Sequence, residues 1–456
     1  MEAANSGNWR QAWACGRAMS QQSLGPKGRI FHALAEMTPD VDDWIQAMKQ
    51  PGPKGGCDAT EIWNGEQGDL GSFFRLNQLA LVPTSAYVAN EVETCSKPQL
   101  REEQAEELGA EDFRRMQAQL QHHSRGFAVP PWSIPRDFWR VLLCDAGADE
   151  NYDAPNLKAL VRRLCSLIRK TTAPPLEWCL SKGCAIPKYN NKTSTRAFRL
   201  LHLLDPLSKT WIAGIWGKHC FNLQHTSFGF IKGRRREEVG MLLRALQYRL
   251  GKNKCSLLLC SFDVANAFPS IDWNALDSKP LKSFNPADRA LLSRRYRNAL
   301  CLVTDSSLNA GVFRPLTDNR QGDGPAAQQF ARAFEAIIKK WSKDLFTLSE
   351  LSMLAARDPW SKIPVFLGSL LFADDLLKII PVVLPVGALN RCLQLITTLR
   401  TELQQHKMDL NLDKLQLLAS WVGPGSARNR RDFLDLLGST DLAKICKSTL
   451  KHLGMQ

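Results

Sequence analysis

Three aspartates lie within apolar runs in the second half of the chain, where a charged side chain is costly. Asp263 is near the end of the run Leu257–Val264, and Asp374 and Asp375 are adjacent between two further apolar runs. A single aspartate in such a place is ordinarily a helix N-cap or a turn residue. Two adjacent acids in buried surroundings need a cation, because like charges repel strongly where water is excluded. Magnesium, a hard ion with oxygen ligands, is favoured where phosphates complete its coordination.

One acid on one strand and an acid pair on a neighbouring hairpin is the arrangement that two-metal phosphoryl transfer requires. Two ions about 4 Å apart would activate an attacking 3′-hydroxyl and stabilise a pyrophosphate leaving group. The spacing therefore predicts that Asp263, Asp374 and Asp375 are catalytic, metal-binding carboxylates.

The elements that position these acids are predicted from the apolar runs themselves. Leu257–Val264 is typical of a strand buried on both faces. Pro364–Leu371 and Leu376–Ile380 predict two strands joined by the acid pair. Hairpin tips usually carry Gly or Asn beside an acid. Here alanine precedes the pair and leucine follows it, which places the acids in otherwise buried material.

The charge of the chain indicates a polyanionic partner. Its net charge is +14 and its pI is near 9.2. Residues 157–254 contain twenty Lys or Arg and four acids, so they account for the whole excess. A solvated surface is the simpler explanation of any charge run, but one-sided charge over about a hundred residues favours a surface that faces phosphate. Nucleic acid is the first expected partner and anionic membrane the second.

The remaining composition predicts an intracellular protein that does not span a membrane. The thirteen cysteines include no CxxC pair and no zinc-ligand spacing, which is typical of a reducing compartment. No apolar run reaches the length of a membrane-spanning helix, and the N-terminus carries no signal-like apolar region.

Three regions differ in composition. Residues 1–150 are turn-rich and unassigned, 157–254 are basic, and 255–456 alternate short apolar strands with helices. Within the basic region we predict helices at Leu157–Lys170, Ala197–Trp216 and Arg236–Gly251, and an extended segment at Trp178–Lys188.

Three motifs resemble the reverse transcriptases of LINE-type, non-LTR retrotransposons. Ser261–Ser270 (SFDVANAFPS) resembles motif A, Arg320–Asp323 (RQGD) resembles motif B, and Phe372–Asp375 (FADD) resembles motif C. After motif B, one face of a predicted helix carries Phe330, Phe334, Ile337, Ile338 and Trp341. The resemblance extends from about Pro174 to the last residue.

Four weaker matches flank these motifs. Ile186-Pro187-Lys188 with Phe198-Arg199 resembles a fingers segment, and Ser227–Arg234 resembles the Q-x-G-F-x-x-G-R loop. Asn411–Lys414 resembles motif D, and Leu450–Gly454 resembles motif E. The order of the motifs along the chain is that of the family.

The resemblance implies an α+β fold of the right-hand polymerase type: residues 255–456 form a palm with an antiparallel sheet, and 157–254 form basic fingers. From the same resemblance we expect the thumb to be missing from this sequence. The implied activity is RNA-directed DNA synthesis from a primer 3′-hydroxyl with dNTPs. Two Mg²⁺ ions, with Mn²⁺ as an alternative, are the implied cofactors. An RNA template and a DNA primer or nicked target DNA are the implied partners, and the nucleus is the implied location.

Residue roles follow from the same resemblance. The implied metal site comprises Asp263, Val264, Asp374 and Asp375. The implied nucleotide-binding residues are Lys188, Arg199, Phe268, Gln321, Gly322 and Lys414. The implied primer grip comprises Lys451, His452, Leu453 and Gly454. Phe268 would lie under the incoming sugar, where an aromatic ring clashes with a 2′-hydroxyl and so favours deoxynucleotides.

One feature distinguishes this chain from viral RNA polymerases, and another departs from the family that the chain resembles. Ala373 stands where viral RNA-dependent RNA polymerases usually carry glycine, which favours DNA synthesis. Motif B lacks the usual following serine and has its proline displaced to Pro325. Two alternatives stay open: an inactive or truncated nucleic-acid-binding remnant of such an element, and an intron-encoded maturase, for which the sequence lacks the splicing domain.

Overall fold

The computed structural model describes much of the chain from residue 77 onward. The described stretches are 77–81, 109–122, 128–145, 155–187, 198–217, 226–278, 281–304, 310–316, 319–343, 345–357, 362–438 and 440–446. No helix in these stretches is long and apolar enough to cross a membrane.

Strands and helices alternate along the described residues. The strands are β1 (Leu79–Leu81), β2 (Leu180–Pro187), β3 (Phe198–Leu203), β4 (Ser256–Ala265), β5 (Leu300–Thr304), β6 (Ala310–Pro315), β7 (Ala355–Arg357), β8 (Pro364–Phe366), β9 (Ser369–Phe372), β10 (Asp375–Val382), β11 (Asp409–Leu410) and β12 (Gln416–Ser420). The α-helices are α1 (Ala110–His122), α2 (Arg136–Arg140), α3 (Pro155–Thr171), α4 (Leu176–Cys179), α5 (Pro206–Gly217), α6 (Arg236–Lys252), α7 (Ala267–Ser270), α8 (Trp273–Ser278), α9 (Pro286–Arg297), α10 (Ala326–Ser342), α11 (Leu348–Leu354), α12 (Pro385–Gln404) and α13 (Ser426–Gly438). A π-helical turn covers Val141–Asp145, and 3₁₀ turns cover Leu412–Lys414 and Asp441–Ile445.

The chain divides into two compact units. Residues 1–220 and 281–326 form the first unit, and 221–280 and 327–456 form the second. Both contain a β-sheet and helices, so the α+β class is confirmed. The right-hand polymerase architecture and the predicted boundaries of fingers and palm stay predictions.

The first unit has a mixed five-stranded sheet in the order β1-β6-β5-β2-β3. The pair β2–β5 is parallel and the other neighbours are antiparallel. Arg169 on α3 ties two helices together, because its guanidinium lies 3.1 Å from Asp112 on α1 and 2.9 Å from Asp288 on α9, all three side chains being buried. Each of the two buried carboxylates thus has a positively charged partner.

Two of the three helices predicted in the basic region are confirmed, as α3 and α6. The helix predicted at Ala197–Trp216 is wrong in its first half, where β3 pairs with β2 before α5 begins at Pro206. Asp205 fixes that start, since its carboxylate accepts from the backbone N–H of Ser208 at 2.8 Å. The segment predicted as extended from Trp178 begins with the turn α4 instead.

The second unit is built on an antiparallel sheet in the order β11-β4-β10-β9, with β12 also paired to β4. β4 is central, and residues 256–262 are all buried, so the strand predicted at Leu257–Val264 is confirmed. The predicted apolar face of α10 is confirmed as well. Its side chains lie in the core with the inward side of α12, namely Phe330, Phe334, Ile337, Ile338 and Trp341 of α10 and Ala388, Cys392, Leu395 and Leu399 of α12.

The hairpin that carries the acid pair is shorter than predicted. Pro364–Leu371 is not one strand: β8 pairs with β7, and only β9 pairs with β10. The break falls at Gly368, where a Cβ atom would overlap the ring of Phe366. A side chain there would displace the Phe366 ring, so glycine suits the point where the chain changes partner strands.

Candidate functional site

The sheet of the second unit places Asp263 and Asp375 side by side. Asp263 is near the end of the central strand β4, and Asp375 is the first residue of β10. The two are direct partners in the antiparallel register. Directly opposed residues have Cβ atoms about 4.5–5.5 Å apart. The predicted juxtaposition of the first and last acid is thus present in the sheet.

Asp374 lies beside this pair in a two-residue turn. Phe372 and Asp375 pair across β9 and β10, so Ala373 and Asp374 alone form the hairpin loop. Ala373 has a φ of 59°, as tight hairpin turns demand. Alanine in this left-handed region is strained, and such strain persists only where the surroundings enforce it.

Mutual repulsion perturbs the acid cluster. Burial, followed by the charges of Asp374 and Asp263, raises the pKa of Asp375 to about 7. The Lys414 ammonium opposes that shift. A carboxyl group with such a pKa is only partly ionised at neutral pH, and a bound cation would favour its ionised form.

Asp263 already has two partners from the segment that resembles motif D. Lys414 Nζ donates to its Oδ1 at 2.9 Å, and Asn411 Nδ2 donates to its Oδ2 at 2.8 Å. The backbone N–H of Asn411 donates to the Asp263 carbonyl at 2.8 Å. Lys414 was predicted to bind the nucleotide. Its side chain is 55% exposed and lies at the acid cluster. Asn411 was not predicted as a site residue.

The acid cluster offers carboxylate oxygens, the kind of ligand that Mg²⁺ prefers. The charges of Asp374 and Asp263 disfavour ionised Asp375, whereas the Lys414 ammonium favours it. Val264, the other predicted metal residue, lies next to Asp263 on β4 and pairs with Leu410. Within the described residues, no group of three or more His, Cys, Asp or Glu side chains is arranged so that it could hold a metal ion. The acids are neighbours without forming a closed cage.

A loop from outside the sheet packs against the acid-bearing hairpin. The Phe228 N–H donates to the Leu371 carbonyl at 2.8 Å, and the Leu371 N–H donates to the Thr226 carbonyl at 2.9 Å. Gly229 lies so close to Ala373 that a Cβ atom would overlap the Ala373 backbone. This Q-x-G-F-like loop therefore fixes the position of the turn that holds Asp374.

Gly229→Ala is expected to destabilise the protein by about 1–3 kcal/mol, because backbone atoms must move to accept the methyl group. Gly251→Ala in α6 is the matched control, since nothing lies within 4 Å of the added Cβ. That variant should be neutral or stabilising by up to about 1 kcal/mol. Urea unfolding of both proteins measures the difference, and equal midpoints would contradict the close packing.

Phe268, the predicted sugar-facing ring, lies in the short helix α7. Its ring stacks on Phe330 with centroids 4.8 Å apart and lies nearly perpendicular to the Phe230 ring, with those centroids 5.8 Å apart. The loop that supports the acid turn therefore also supplies a ring beside Phe268. Phe230 was not predicted as a site residue, although it belongs to the loop motif.

The first unit brings together another part of the predicted site. Gln321 accepts through its carbonyl from the His202 N–H on β3 at 2.7 Å. Gly322 has a φ of +109°, and a Cβ there would come within 2.5 Å of the His202 carbonyl oxygen. Only glycine allows this approach. Arg199 is on the same strand, exposed, and paired in register with Ile186.

A buried ionic network supports the motif B turn. Asp323 is bound by Arg295 and by the Tyr296 hydroxyl at 3.3 Å, and Arg320 lies 3.9 Å away. The side chains of Asp323, Arg295 and Arg320 are all 0% exposed. Burial alone would raise the pKa of Asp323, but the charges of Arg295 and Arg320 outweigh it and lower the pKa. Asp323, not Gln321, is thus the structural anchor of motif B.

The remaining predicted residues lie outside the described part of the chain. These are Lys188 and the predicted primer grip of Lys451, His452, Leu453 and Gly454. Their roles stay predictions.

No protein-family model and no curated protein matches the sequence. Among solved structures, the chain is similar to apo telomerase from Candida tropicalis truncated from its C-terminal domain, with 14% identity and a TM-score of 0.40, over 54% of this chain and 51% of that chain. It is also similar to telomerase from Candida albicans in complex with a TWJ fragment of telomeric RNA, with 11% identity and a TM-score of 0.39, over 61% and 48% of the two chains. The chain spans about half of the length of these telomerase chains.

Proposed function

We propose that the chain is an RNA-directed DNA polymerase of a LINE-type, retrotransposon-like element, which extends a primer 3′-hydroxyl with dNTPs. The observation that carries the proposal is the register of β4 and β10, which sets Asp375 opposite Asp263 beside the Asp374 turn. The raised pKa of Asp375 supports it, because such a cluster is expected where positive charge must bind.

This proposal gives separate roles to the acids, to Lys414 and to Phe268. Asp263, Asp374 and Asp375, with Val264, would hold two Mg²⁺ ions, or Mn²⁺, which supply positive charge to the reacting phosphate when bound. Lys414, whose Nζ lies 2.9 Å from Asp263 Oδ1, would donate a proton to the pyrophosphate that leaves. Phe268 would exclude the 2′-hydroxyl of a ribonucleotide.

Residues of the first unit would contact the nucleotide and the template. Arg199 is exposed and suited to phosphate, because its guanidinium presents a planar set of donors. Gln321 and Gly322 would approach the base pair through a turn that only glycine permits. Lys188 is proposed for the triphosphate from its motif alone. The proposed partners are an RNA template, a DNA primer or nicked target DNA, and dNTPs, in the nucleus.

Primer extension on an RNA template tests the proposal. The full chain is expected to extend an annealed DNA primer only when Mg²⁺ or Mn²⁺ is present. Asp374→Asn should reduce the rate about 10³-fold, since a metal-binding carboxylate is lost. Asp413→Asn is the control, because this acid is exposed on the turn next to Lys414.

Absence of metal-dependent extension by the unchanged chain, or equal rates for the unchanged chain and Asp374→Asn, would contradict the proposal. Salt-dependent binding to an RNA–DNA duplex without any incorporation would instead identify the chain as a nucleic-acid-binding remnant.

A further inference from the structure

Four phenylalanine rings form a continuous row from the surface to the core of the second unit. Phe230 meets Phe268 at 5.8 Å with an interplanar angle of 80°. Phe268 stacks on Phe330 at 4.8 Å and 23°, and Phe330 stacks on Phe334 at 5.4 Å and 20°. Phe330 and Phe334 are buried, whereas Phe230 is 41% exposed. Phe268 is therefore held between a fixed core ring and a surface ring.

The backbone holds Phe230 in an unfavourable conformation. Its φ is 62°, and a bulky residue in the left-handed region is a clear outlier. Such conformations cost about 1–3 kcal/mol and cluster at functional sites. An aromatic ring that stays 41% exposed recovers little of that cost through burial. The strain indicates that the Q-x-G-F-like loop serves to position the Phe230 ring rather than to bury it.

The contacts that fix Phe230 also fix the acid-bearing turn. Gly229, its neighbour, lies directly against the backbone of Ala373. Arg234 donates to the Ser227 carbonyl, and the Ser227 hydroxyl donates to Glu335 on α10 at 2.6 Å. The ring of Phe230 is thus set relative to both the hairpin of Asp374 and the helix that carries Phe330.

We propose that Phe230 is a positioning residue for sugar selection, a role that rests on the proposed DNA polymerase function. One face of Phe268 lies on Phe330, and the nearly perpendicular ring of Phe230 limits the rotamers open to Phe268. A ring fixed in this way can exclude a 2′-hydroxyl, while a ring free to change rotamer admits it. Phe230 acts through Phe268 and does not itself need to touch the nucleotide.

The ratio of kcat/KM for dATP to that for ATP, measured by primer extension, tests this role. Phe268→Ala should lose most of the deoxynucleotide preference. Phe230→Ala should lower the preference about threefold to tenfold, the range expected for one edge-to-face contact. The change should come mainly from a lower KM for ATP, with kcat for dATP little changed. Phe230→Tyr keeps the ring and should retain the preference.

Tyr248→Ala is the control for removal of an exposed aromatic ring, since Tyr248 is 65% exposed on α6. An unchanged ratio in Phe230→Ala alongside a lowered ratio in Phe268→Ala would overturn the proposal. Equal losses of kcat/KM for both nucleotides would overturn it too, because they would indicate a general structural defect.

Equilibrium binding separates this inference from the proposed function. A primer that ends in a dideoxynucleotide lacks the attacking hydroxyl, so dATP and ATP bind without transfer. A smaller ratio of the ATP dissociation constant to the dATP dissociation constant in Phe230→Ala supports the positioning role, even in a chain without turnover. The same ratio in the unchanged chain and in Phe230→Ala rejects that role. Failure of the proposed function would show separately, as absent extension from an ordinary primer.

Discussion

Asp375→Asn is expected to abolish nucleotide transfer while making the metal-free protein more stable at neutral and alkaline pH. The amide would remove one of the three carboxylates proposed to bind metal, and under the proposed function we expect the rate to fall about 10³-fold. The free energy of unfolding should rise in this variant, because burial and the charges of Asp374 and Asp263 disfavour ionised Asp375 in the folded chain. Loss of function with a gain in stability is typical of a residue kept for its chemistry.

The pH dependence of unfolding gives this prediction a definite sign. Unfolded aspartate titrates near pH 4, whereas the pKa of folded Asp375 is raised to about 7. Between these values the folded chain keeps a proton that the unfolded chain has lost. Stability contributed by Asp375 therefore falls as pH rises from about 4 to 7. Asparagine does not titrate, so the variant should lack this fall.

Guanidinium unfolding at pH 4.5 and pH 8, in the presence of a chelator, measures the effect. Added Mg²⁺ at pH 8 should raise the midpoint of the unchanged chain and leave Asp375→Asn nearly unaffected, since only a folded site binds the ion. Asp413→Asn, an exposed acid, should follow the unchanged chain throughout. Identical pH profiles for Asp375→Asn and the unchanged chain would contradict the prediction.

The acid cluster was predictable because its local signals agree with the fold. An apolar run buried on both faces is unmistakable in Leu257–Val264, and its single acid had to lie near the end of a strand. Adjacent acids between apolar runs likewise predicted a hairpin. The register that sets Asp375 opposite Asp263 was not predictable, because it depends on where β10 starts after a two-residue turn.

Residues that act through tertiary contacts could not be found from sequence patterns. Phe230 and Asn411 lie within motifs that were recognised, yet their contacts with Phe268 and Asp263 arise only when distant segments pack together. Lys378 is a further case. It interrupts a predicted apolar strand and is fully buried, with its Nζ donating to the Ser369 hydroxyl at 2.8 Å and to the Ser342 hydroxyl at 2.9 Å.

In the first unit, local preference and tertiary pairing disagree. Residues 197–203 have apolar spacing that suits a helix, but β3 exists because β2 offers a partner strand. Propensity is a weak guide where a neighbouring strand competes. β3 carries exposed Arg199 and also His202, whose backbone N–H donates to the Gln321 carbonyl. The position of Arg199 on a strand was therefore not predictable from periodicity, because it depends on the pairing of β3 with β2.

Asp323→Asn is expected to destabilise the protein by about 3–5 kcal/mol, the cost of breaking a fully buried ion pair from one side. Asparagine has nearly the same shape, but it leaves the guanidinium groups of Arg295 and Arg320 without their negative partner. Because the pKa of Asp323 is lowered, its contribution is complete above pH 4 and is lost as the pH falls through the folded pKa. Urea unfolding at pH 7 measures the loss.

Asp409→Asn is the matched control for this loss, since Asp409 also faces an arginine through both oxygens, at 2.9 Å and 3.1 Å from Arg400. That pair is exposed, with side chains 46% and 42% accessible, so its loss should cost less than about 1 kcal/mol. Equal costs for the two variants would contradict the buried network. Under the proposed function, Asp323→Asn should also bind dATP more weakly on a primer–template, because Asp323 anchors the turn that carries Gln321 and Gly322.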